Sequence, residues 1–252
     1  MNSEIILKNV SLDFPIYDAE SLSLRNKVSD IGKVISKKTQ KTTKGKIVSA
    51  IKDINFEFRH GDRVALLGHN GSGKTTLLKL LAGIYYPTSG SISKYGETCS
   101  MLDIGFGFEQ DATGFENILL SNIIRGRTKK EIDKILPEIA EFSGLGEFLD
   151  MPLRTYSSGM QARLAFSSVI ANSPEILLID EFFSTGDIEF SRKSKERVMK
   201  MMSDSSILVF ASHDLKLLNI ICDKGVCMEN GKIIFSGEVS EAINFYTKIY
   251  EK

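Results

Sequence analysis

Runs of apolar residues, some alternating with polar ones and some continuous, divide the chain into short predicted strands. The segment INFEFR (54–59) alternates apolar and polar residues, which is typical of a half-buried strand. RVALLG (63–68), ILLID (176–180) and ILVFAS (207–212) are mostly apolar and bounded by turn residues, which favours parallel strands covered on both faces. The opening segment EIILKNVSLDF predicts one more strand.

Helical patterns lie between these strands. LLKLLAG (77–83) predicts a helix that ends at its glycine. GFENILLSNIIRG and TKKEIDKILPEIAEF predict two more helices, and the second begins with a capping box in which Glu131 follows the cap Thr128 by three residues. Because proline lacks a backbone N–H, Pro137 is expected to kink or interrupt that helix.

The order of these elements predicts an α/β fold in a single domain over residues 1–252. KGVCMENGKIIFSG predicts a hairpin around Asn230–Gly231. A helical subdomain is expected at about 115–170, and a short amphipathic helix at about 238–250.

Composition and charge exclude several classes of protein. The chain is 42% hydrophobic and 25% charged, and its 32 Lys and Arg balance 32 Asp and Glu, which does not suggest a generally basic nucleic-acid binder. Apolar runs such as ILLI are too short to span a bilayer, and the start MNSEIILKNV lacks a signal pattern, so we expect a cytosolic protein. The three cysteines form no disulfide framework, and Cys222 with Cys227 lacks a second pair of metal ligands.

A basic insertion at about 18–48 stands apart from the rest of the chain. From Arg25 to Lys46 it has eight basic residues and one acidic residue, Asp30. The basic residues are Arg25, Lys27, Lys33, Lys37, Lys38, Lys41, Lys44 and Lys46. The insertion is either a solvated surface segment or a contact with a membrane surface or an anionic substrate.

The segment GHNGSGKT (68–75) fits the phosphate-loop pattern between a predicted strand and a predicted helix. Gly71 and Gly73 let the backbone curl so that N–H groups converge on phosphate oxygens. Lys74 is expected to reach the β and γ phosphates, and the Thr75 hydroxyl to ligate Mg²⁺. The candidate ATP-binding residues here are Gly68, His69, Asn70, Gly71, Ser72, Gly73, Lys74, Thr75 and Thr76.

Two further strand ends carry candidate chemistry. In ILLIDE, Asp180 ends a buried strand and is a candidate Mg²⁺ ligand, while Glu181 is a candidate to orient or deprotonate the attacking water. His213 follows ILVFAS. A lone histidine is often structural, but the carboxyl end of a parallel strand is the ligand side of such a sheet, which favours a γ-phosphate sensor.

These motifs together resemble the ABC ATPase family, and the resemblance covers essentially the whole chain. GHNGSGKT corresponds to the Walker A loop, ILLIDE to the Walker B strand with its catalytic glutamate, and His213 to the switch histidine. STGD corresponds to the D-loop, with Gly186 and Asp187. The resemblance implies a P-loop nucleotide-binding domain with a mixed sheet core, an antiparallel β subdomain and a helical subdomain.

YSSGM (156–160) occupies the place of the family's LSGGQ signature, before a helical segment. A helix start suits an anion because its backbone N–H groups are unpaired. In the family two domains pair head to tail, and each signature helix points at the γ-phosphate of the ATP on the other subunit. The resemblance therefore implies a homodimer whose candidate contacts with the partner's ATP are Ser157, Ser158, Gly159 and Met160.

YSSGM departs from LSGGQ at Tyr156, Ser158 and Met160, and this variant resembles the polysaccharide-export branch of the family. That branch also has a basic insertion after the first strand, the run LDIGFGFEQDATGFENI and the stretch GDIEF. Two assignments stay open. Glu109 or Gln110 fills the place of the Q-loop glutamine, and Tyr17 or Phe14 stacks on adenine, with Tyr17 slightly favoured over Phe14 and a core role as the alternative for either.

The resemblance implies an ATP-hydrolysing, magnesium-dependent subunit that powers export of a lipid-linked polysaccharide, such as O-antigen, capsule or teichoic acid. It implies a homodimer held peripherally at the cytoplasmic face of the inner membrane by separate permease subunits, with no nucleic-acid partner. The alternatives are an exporter of a drug or peptide, and a soluble ABC ATPase acting on DNA or ribosomes. The single phosphate loop and the lack of sustained heptads disfavour the soluble class.

Overall fold

The computed structural model describes residues 3–16, 46–102, 104–171, 174–180 and 188–250. The described strands are β1 (Glu4–Ile16), β2 (Lys46–Arg59), β3 (Arg63–Leu67), β4 (Ser89–Tyr95), β5 (Thr98–Ser100), β6 (Ile176–Asp180), β7 (Ile207–Ala211), β8 (Lys224–Glu229) and β9 (Lys232–Glu238). The described α-helices are α1 (Lys74–Ala82), α2 (Gly114–Ile124), α3 (Lys129–Ser143), α4 (Ser158–Ile170), α5 (Ile188–Asp204), α6 (Leu215–Ile221) and α7 (Val239–Tyr250).

The strands form two sheets. A six-stranded sheet has the order β5–β6–β7–β3–β8–β9, in which β9 runs antiparallel to β8 and the other pairs are parallel. A three-stranded antiparallel sheet has the order β2–β1–β4. With a helical subdomain between β5 and β6, this arrangement confirms the expected fold class.

The basic insertion was expected to extend to residue 48, but β2 begins at Lys46. Ile47 and Val48 pair with Pro15 and Phe14 of β1, because the long antiparallel ladder between β1 and β2 continues to its end. Residues 17–45, which contain most of the predicted insertion, lie outside the described residues.

The centre of the six-stranded sheet is covered on both faces. Along β3, Val64 and Leu66 contribute to one core cluster, whereas Ala65 and Leu67 contribute to another, because successive side chains of a strand point to opposite faces. Helix α1 and the antiparallel sheet supply the first cluster, and α4, α5, α6 and α7 supply the second. The apolar runs of β6 and β7 are buried, as their sequences predicted.

The helical subdomain has a core of its own. Helices α2, α3 and α4, with the 3₁₀ turns Gly146–Asp150 and Leu153–Thr155, surround a cluster that includes Ile118, Ile139 and Leu164. This self-contained core fixes the position of α4, the helix that follows YSSGM.

Helix α3 differs from its prediction at one point. It begins at the expected capping box, in which Glu131 accepts a hydrogen bond from the Thr128 N–H at 2.8 Å. Pro137 was expected to kink or interrupt the helix; the helix is not interrupted and runs to Ser143, and the kink stays a prediction. Proline has no N–H to donate to the carbonyl of Asp133, four residues earlier. Pro137 and Asp133 are both exposed, so this carbonyl lies on the solvent side of the helix.

Four elements, β4, β5, α5 and α6, were not anticipated from the sequence. Strand β4 shows why, since Ile92 is its only residue that is not exposed and the alternation that indicates a strand is missing. Within the described ranges, no helix is both long and apolar enough to cross a membrane.

A buried asparagine ties the segment before α2 to that helix. Asn117 is fully buried, and its amide group donates to the carbonyls of Glu109 at 2.9 Å, Ala112 at 3.0 Å and Thr113 at 2.9 Å. Its Oδ1 accepts from the Glu109 N–H at 2.6 Å. One side chain therefore holds residues 109–113, which include both Q-loop candidates.

We expect Asn117→Ala to lower the free energy of unfolding by about 2–4 kcal/mol, because it leaves backbone groups of the 109–113 segment without their partners. Urea unfolding followed by circular dichroism measures the change. Leu120→Ala is the matched control on the same helix; Leu120 is 38% exposed, and we expect a loss of about 1 kcal/mol or less. Equal losses in the two variants would contradict the role given to Asn117.

Candidate functional site

Three neighbouring parallel strands bring the predicted nucleotide residues to one edge of the sheet. Strand β7 lies between β3 and β6, and Ala211 is paired with Leu66 on one side and Asp180 on the other. The phosphate loop follows β3, and His213, which is exposed, follows β7. The loop, His213 and Asp180 therefore meet at the carboxyl edge, where ligands of such sheets bind.

The phosphate loop leads directly into α1, whose first residue is Lys74. The Lys74 Nζ donates to the carbonyl of Gly68 at 2.5 Å and to that of His69 at 3.3 Å, so the ammonium group lies across the loop. The first turn of α1 contains no acidic residue, so nothing within that turn offsets the partial positive charge of the helix N-terminus. This end of the helix suits a phosphate group.

Thr75 and Asp180, the two predicted magnesium ligands, lie in direct contact. The Thr75 hydroxyl donates a hydrogen bond to the Asp180 Oδ2, although the two residues come from different elements. A hydroxyl and a carboxylate oxygen are the hard ligands that Mg²⁺ takes in proteins. The pair therefore fits a magnesium site beside the phosphate loop.

A pocket of about 560 Å³ opens beside the loop. It is lined by the loop and helix residues Asn70, Gly71, Gly73, Lys74, Thr75 and Thr76, and also by Val48, Ser49, Ala50, Lys52, Asn230 and Gly231. The second group comes from β2 and from the β8–β9 turn, and was not assigned to the site from the sequence. The hairpin signal at Asn230–Gly231 predicted the turn but did not indicate that the turn lies beside the phosphate loop.

Backbone hydrogen bonds hold that turn against the phosphate loop. The Gly231 N–H donates to the Ser72 carbonyl at 2.9 Å, and the Gly231 carbonyl accepts from the Lys52 N–H at 2.9 Å. Gly231 has φ 79°, and a Cβ at this position would lie 2.4 Å from the Ala50 carbonyl oxygen. Only glycine allows this approach, so Gly231 joins the loop, the turn and β2.

The remaining residues of the loop, Gly68, His69 and Ser72, are not among the lining residues of the pocket. Gly68 and Ser72 are buried. His69 is half-buried, and its ring centroid is 5.5 Å from that of Tyr250 in α7.

Several predicted site residues lie outside the described residues. They are Tyr17, Glu181, Gly186 and Asp187. Their assignments stay predictions from the sequence.

The signature segment starts α4 as its composition predicted. Ser157 is the N-cap, and its hydroxyl accepts from the Met160 N–H at 3.3 Å. Tyr156 is buried in the helical subdomain and its hydroxyl donates to the Phe148 carbonyl at 2.5 Å. Burial raises the pKa of Tyr156, so its hydroxyl stays a donor.

The signature residues divide into inward-facing and outward-facing ones. Met160 is half-buried and packs against the core of its own helical subdomain. Ser157, Ser158 and Gly159 are exposed. A Cβ at Gly159 would have the Ser157 Oγ, at 3.9 Å, as its neighbour within 4 Å, so the described part of this chain does not require glycine there.

The structure bears differently on the two open assignments, the Q-loop residue and the residue that stacks on adenine. The side chains of Glu109 and Gln110 are both exposed, so either remains a Q-loop candidate. The Phe14 ring packs edge-on against Tyr85, with ring centroids 5.4 Å apart, and belongs to the margin of the main core. Phe14 therefore has a contact with the core, and the choice between Tyr17 and Phe14 for adenine stays a prediction.

The cysteines are buried thiols. Burial raises the pKa of Cys222 to about 12 and those of Cys99 and Cys227 to about 11, so they remain protonated near neutral pH. In the described part of the chain, no group of three or more His, Cys, Asp or Glu is placed to hold a metal ion.

Comparison with known proteins identifies the family. The ABC transporter family model matches residues 51–184, more than half of the 252 residues. The O-antigen export system ATP-binding protein RfbE of Yersinia enterocolitica is 42% identical, over 92% of this chain and 96% of that protein. The teichoic acids export ATP-binding protein TagH of Listeria innocua is 34% identical, over 97% of this chain and 70% of that protein.

Solved structures share the fold. The ATP-binding cassette MJ0796, described as dimeric in a post-hydrolysis state bound to ADP and Pi, superposes with a TM-score of 0.63. The two sequences are 21% identical, over 93% of this chain and 98% of that one. The fold, the site and the relatives agree: the chain belongs to the ABC transporter family.

We expect Gly231→Ala to weaken nucleotide binding about tenfold, because the added Cβ displaces the turn that lines the pocket and holds Ser72. Calorimetric titration with Mg·ADP measures the dissociation constant. Gly61→Ala is the matched control: Gly61 also has a positive φ, of 93°, but a Cβ there meets nothing within 4 Å. The same affinity in both variants would contradict a role for Gly231 in the site.

Proposed function

We propose that this chain is the ATP-hydrolysing subunit of an exporter that moves a lipid-linked polysaccharide across the plasma membrane through a separate permease. The observation that best supports ATP hydrolysis is the contact between Thr75 and Asp180 beside the phosphate loop. The export of a polysaccharide is supported by relatives described as O-antigen and teichoic acid export ATP-binding proteins, which align with more than nine-tenths of this chain.

The residues of the site divide the work of phosphoryl transfer. Lys74 and the backbone N–H groups of the loop bind the β and γ phosphates. Thr75 and Asp180 hold Mg²⁺, which neutralises charge on the phosphate oxygens when bound. Glu181, directly after Asp180, orients or deprotonates the attacking water, and His213 contacts the γ-phosphate.

The exposed signature supports a homodimer. Ser157 caps α4 and Gly159 leaves open space above the first turn, so the helix N-terminus faces outward without obstruction from the described residues of its own chain. Such an end binds anions. In the proposed dimer it reaches the γ-phosphate of the ATP bound by the second copy.

A groove beside the helical subdomain supports the permease as a partner. It has a volume of about 560 Å³ and lies between the end of α1, strand β5 and the end of α2. Its walls include the exposed apolar residues Ile84, Phe106 and Ile124. Phe106 belongs to the segment that leads to Glu109, so a permease loop seated here would contact the segment before the Q-loop candidates. We propose that the dimer lies beneath the permease at the inner face of the membrane.

We expect Glu181→Gln to bind ATP and to lose nearly all turnover, because the water is no longer oriented or deprotonated. Phosphate release measures turnover, and size exclusion with ATP detects the trapped dimer. In cells that lack the native gene, the variant should fail to restore polysaccharide at the cell surface, and the lipid-linked polysaccharide should accumulate inside the cell.

Lys74→Ala is the comparison, since it should weaken nucleotide binding itself. Turnover by Glu181→Gln at the wild-type rate would refute the catalytic assignment. Normal polysaccharide display by cells with an inactive ATPase would instead point to another cargo.

We expect Gly159→Asp to abolish the ATP-dependent dimer in the Glu181→Gln background, because a carboxylate at the start of α4 repels the partner's γ-phosphate. Size exclusion with ATP measures dimerisation. Since a Cβ at Gly159 meets only the Ser157 Oγ, at the ordinary contact distance of 3.9 Å, the melting temperature and the affinity of the monomer for Mg·ADP should stay unchanged and serve as the internal control. Undiminished dimerisation would argue against the shared site.

A further inference from the structure

The last turn of α7 contacts the phosphate loop. The Tyr250 ring lies 5.5 Å from the His69 ring, centroid to centroid, at an interplanar angle of 60°. His69 is the second residue of the phosphate loop and its Nδ1 lies 2.7 Å from the Asn70 carbonyl oxygen. A displacement of Tyr250 would therefore remove the packing that holds one end of the loop.

Tyr250 also contacts the residue that directly precedes the turn lining the pocket. Its hydroxyl donates to the Glu229 carboxylate at 2.9 Å. Glu229 is the last residue of β8 and directly precedes the Asn230–Gly231 turn, whose backbone lines the pocket and binds Ser72. Burial and this hydrogen bond raise the pKa of Tyr250 to about 12, so the hydroxyl stays protonated and keeps donating at physiological pH.

Helix α7 is itself fixed to the sheet. A Cβ at Gly225 of β8 would lie 2.3 Å from the Ala242 Cβ, so the helix and the strand are in close contact. The Phe235 ring of β9 stacks on Phe245 of α7 with centroids 4.9 Å apart. These contacts anchor the helix as far as Phe245, so the position of its last turn depends also on the contacts of Tyr250 itself.

We infer that Tyr250 is a positioning residue for the nucleotide site, holding His69 of the phosphate loop through its ring and the Glu229–Gly231 turn through its hydroxyl. This inference rests on the proposed function, since it concerns how the same site binds nucleotide. The position of α7 and nucleotide affinity are then coupled, and the coupling is reciprocal: nucleotide in the pocket orders the last turn of α7, and an ordered α7 strengthens nucleotide binding.

The test uses the purified full chain and Mg·ADP, which occupies the phosphate loop without hydrolysis or dimerisation. We expect Tyr250→Ala to raise the calorimetric dissociation constant about five-fold, the order of an aromatic pair contact. Tyr250→Phe keeps the ring and loses the hydroxyl, so about a two-fold rise is expected. The matched control is Ile249→Ala on the same turn, whose side chain is 43% exposed, and it should leave the affinity unchanged.

Hydrogen exchange supplies the reciprocal measurement. Mg·ADP should slow amide exchange of residues 246–250 in the wild type and should lose this effect in Tyr250→Ala. A lower melting temperature with unchanged affinity and unchanged exchange response would show a merely structural role and overturn the inference. A wild-type chain that does not bind Mg·ADP would overturn the proposed function itself, whereas equal affinities of a binding wild type and both Tyr250 variants would overturn this inference alone.

Discussion

The parallel register of β6, β7 and β3 is the constraint on which the nucleotide site depends. It places Asp180, Ala211 and Leu66 in one row across the sheet. Asp180, the histidine after β7 and the phosphate loop after β3 therefore lie at the same edge of the sheet. Because side chains alternate along a strand, a slip of one residue would turn buried side chains to the opposite face of the sheet. The burial of all three strands on both faces fixes the register and thereby the contact between Thr75 and Asp180.

The pocket itself depends on a meeting of the two sheets. The phosphate loop belongs to the six-stranded sheet, whereas the opposite wall includes residues of β2, from the antiparallel sheet. Gly231 joins them, because the absence of a side chain lets the β8–β9 turn lie against Ala50 while its backbone bonds Ser72 and Lys52. The chemistry of the loop is thus local, but the shape of its pocket is set by backbone contacts between distant segments.

The division of the signature residues explains two of the three departures of YSSGM from LSGGQ. Tyr156 and Met160 turn into the core of their own helical subdomain, where a range of apolar side chains suits packing. Ser157 keeps the hydroxyl that caps α4, and Gly159 keeps an open surface. Of the three exposed positions, Ser157 and Gly159 are retained from LSGGQ, whereas the departure at Ser158 has no structural explanation.

The sequence by itself determined what depends on short-range order. The phosphate-loop spacing, the capping box at Thr128, the serine cap of α4 and the hairpin at Asn230–Gly231 each need only a few neighbouring residues, and all four are present. The buried strands were also visible, because their apolar runs carry the signal. Strand β4 was not, because it is almost wholly exposed and its place depends on pairing with β1.

Only the tertiary structure decided which distant segments complete the site. The backbone of β2, the Gly231 turn and Tyr250 of α7 carry no nucleotide motif, and they reach the phosphate loop through pairing and packing between residues far apart in the chain. The tertiary structure also decided the place of Pro137. Local rules disfavour proline inside a helix, but its exposed position allows it within α3. A motif specifies chemistry through local geometry, whereas a pocket wall is specified by long-range contacts that no spacing along the chain records.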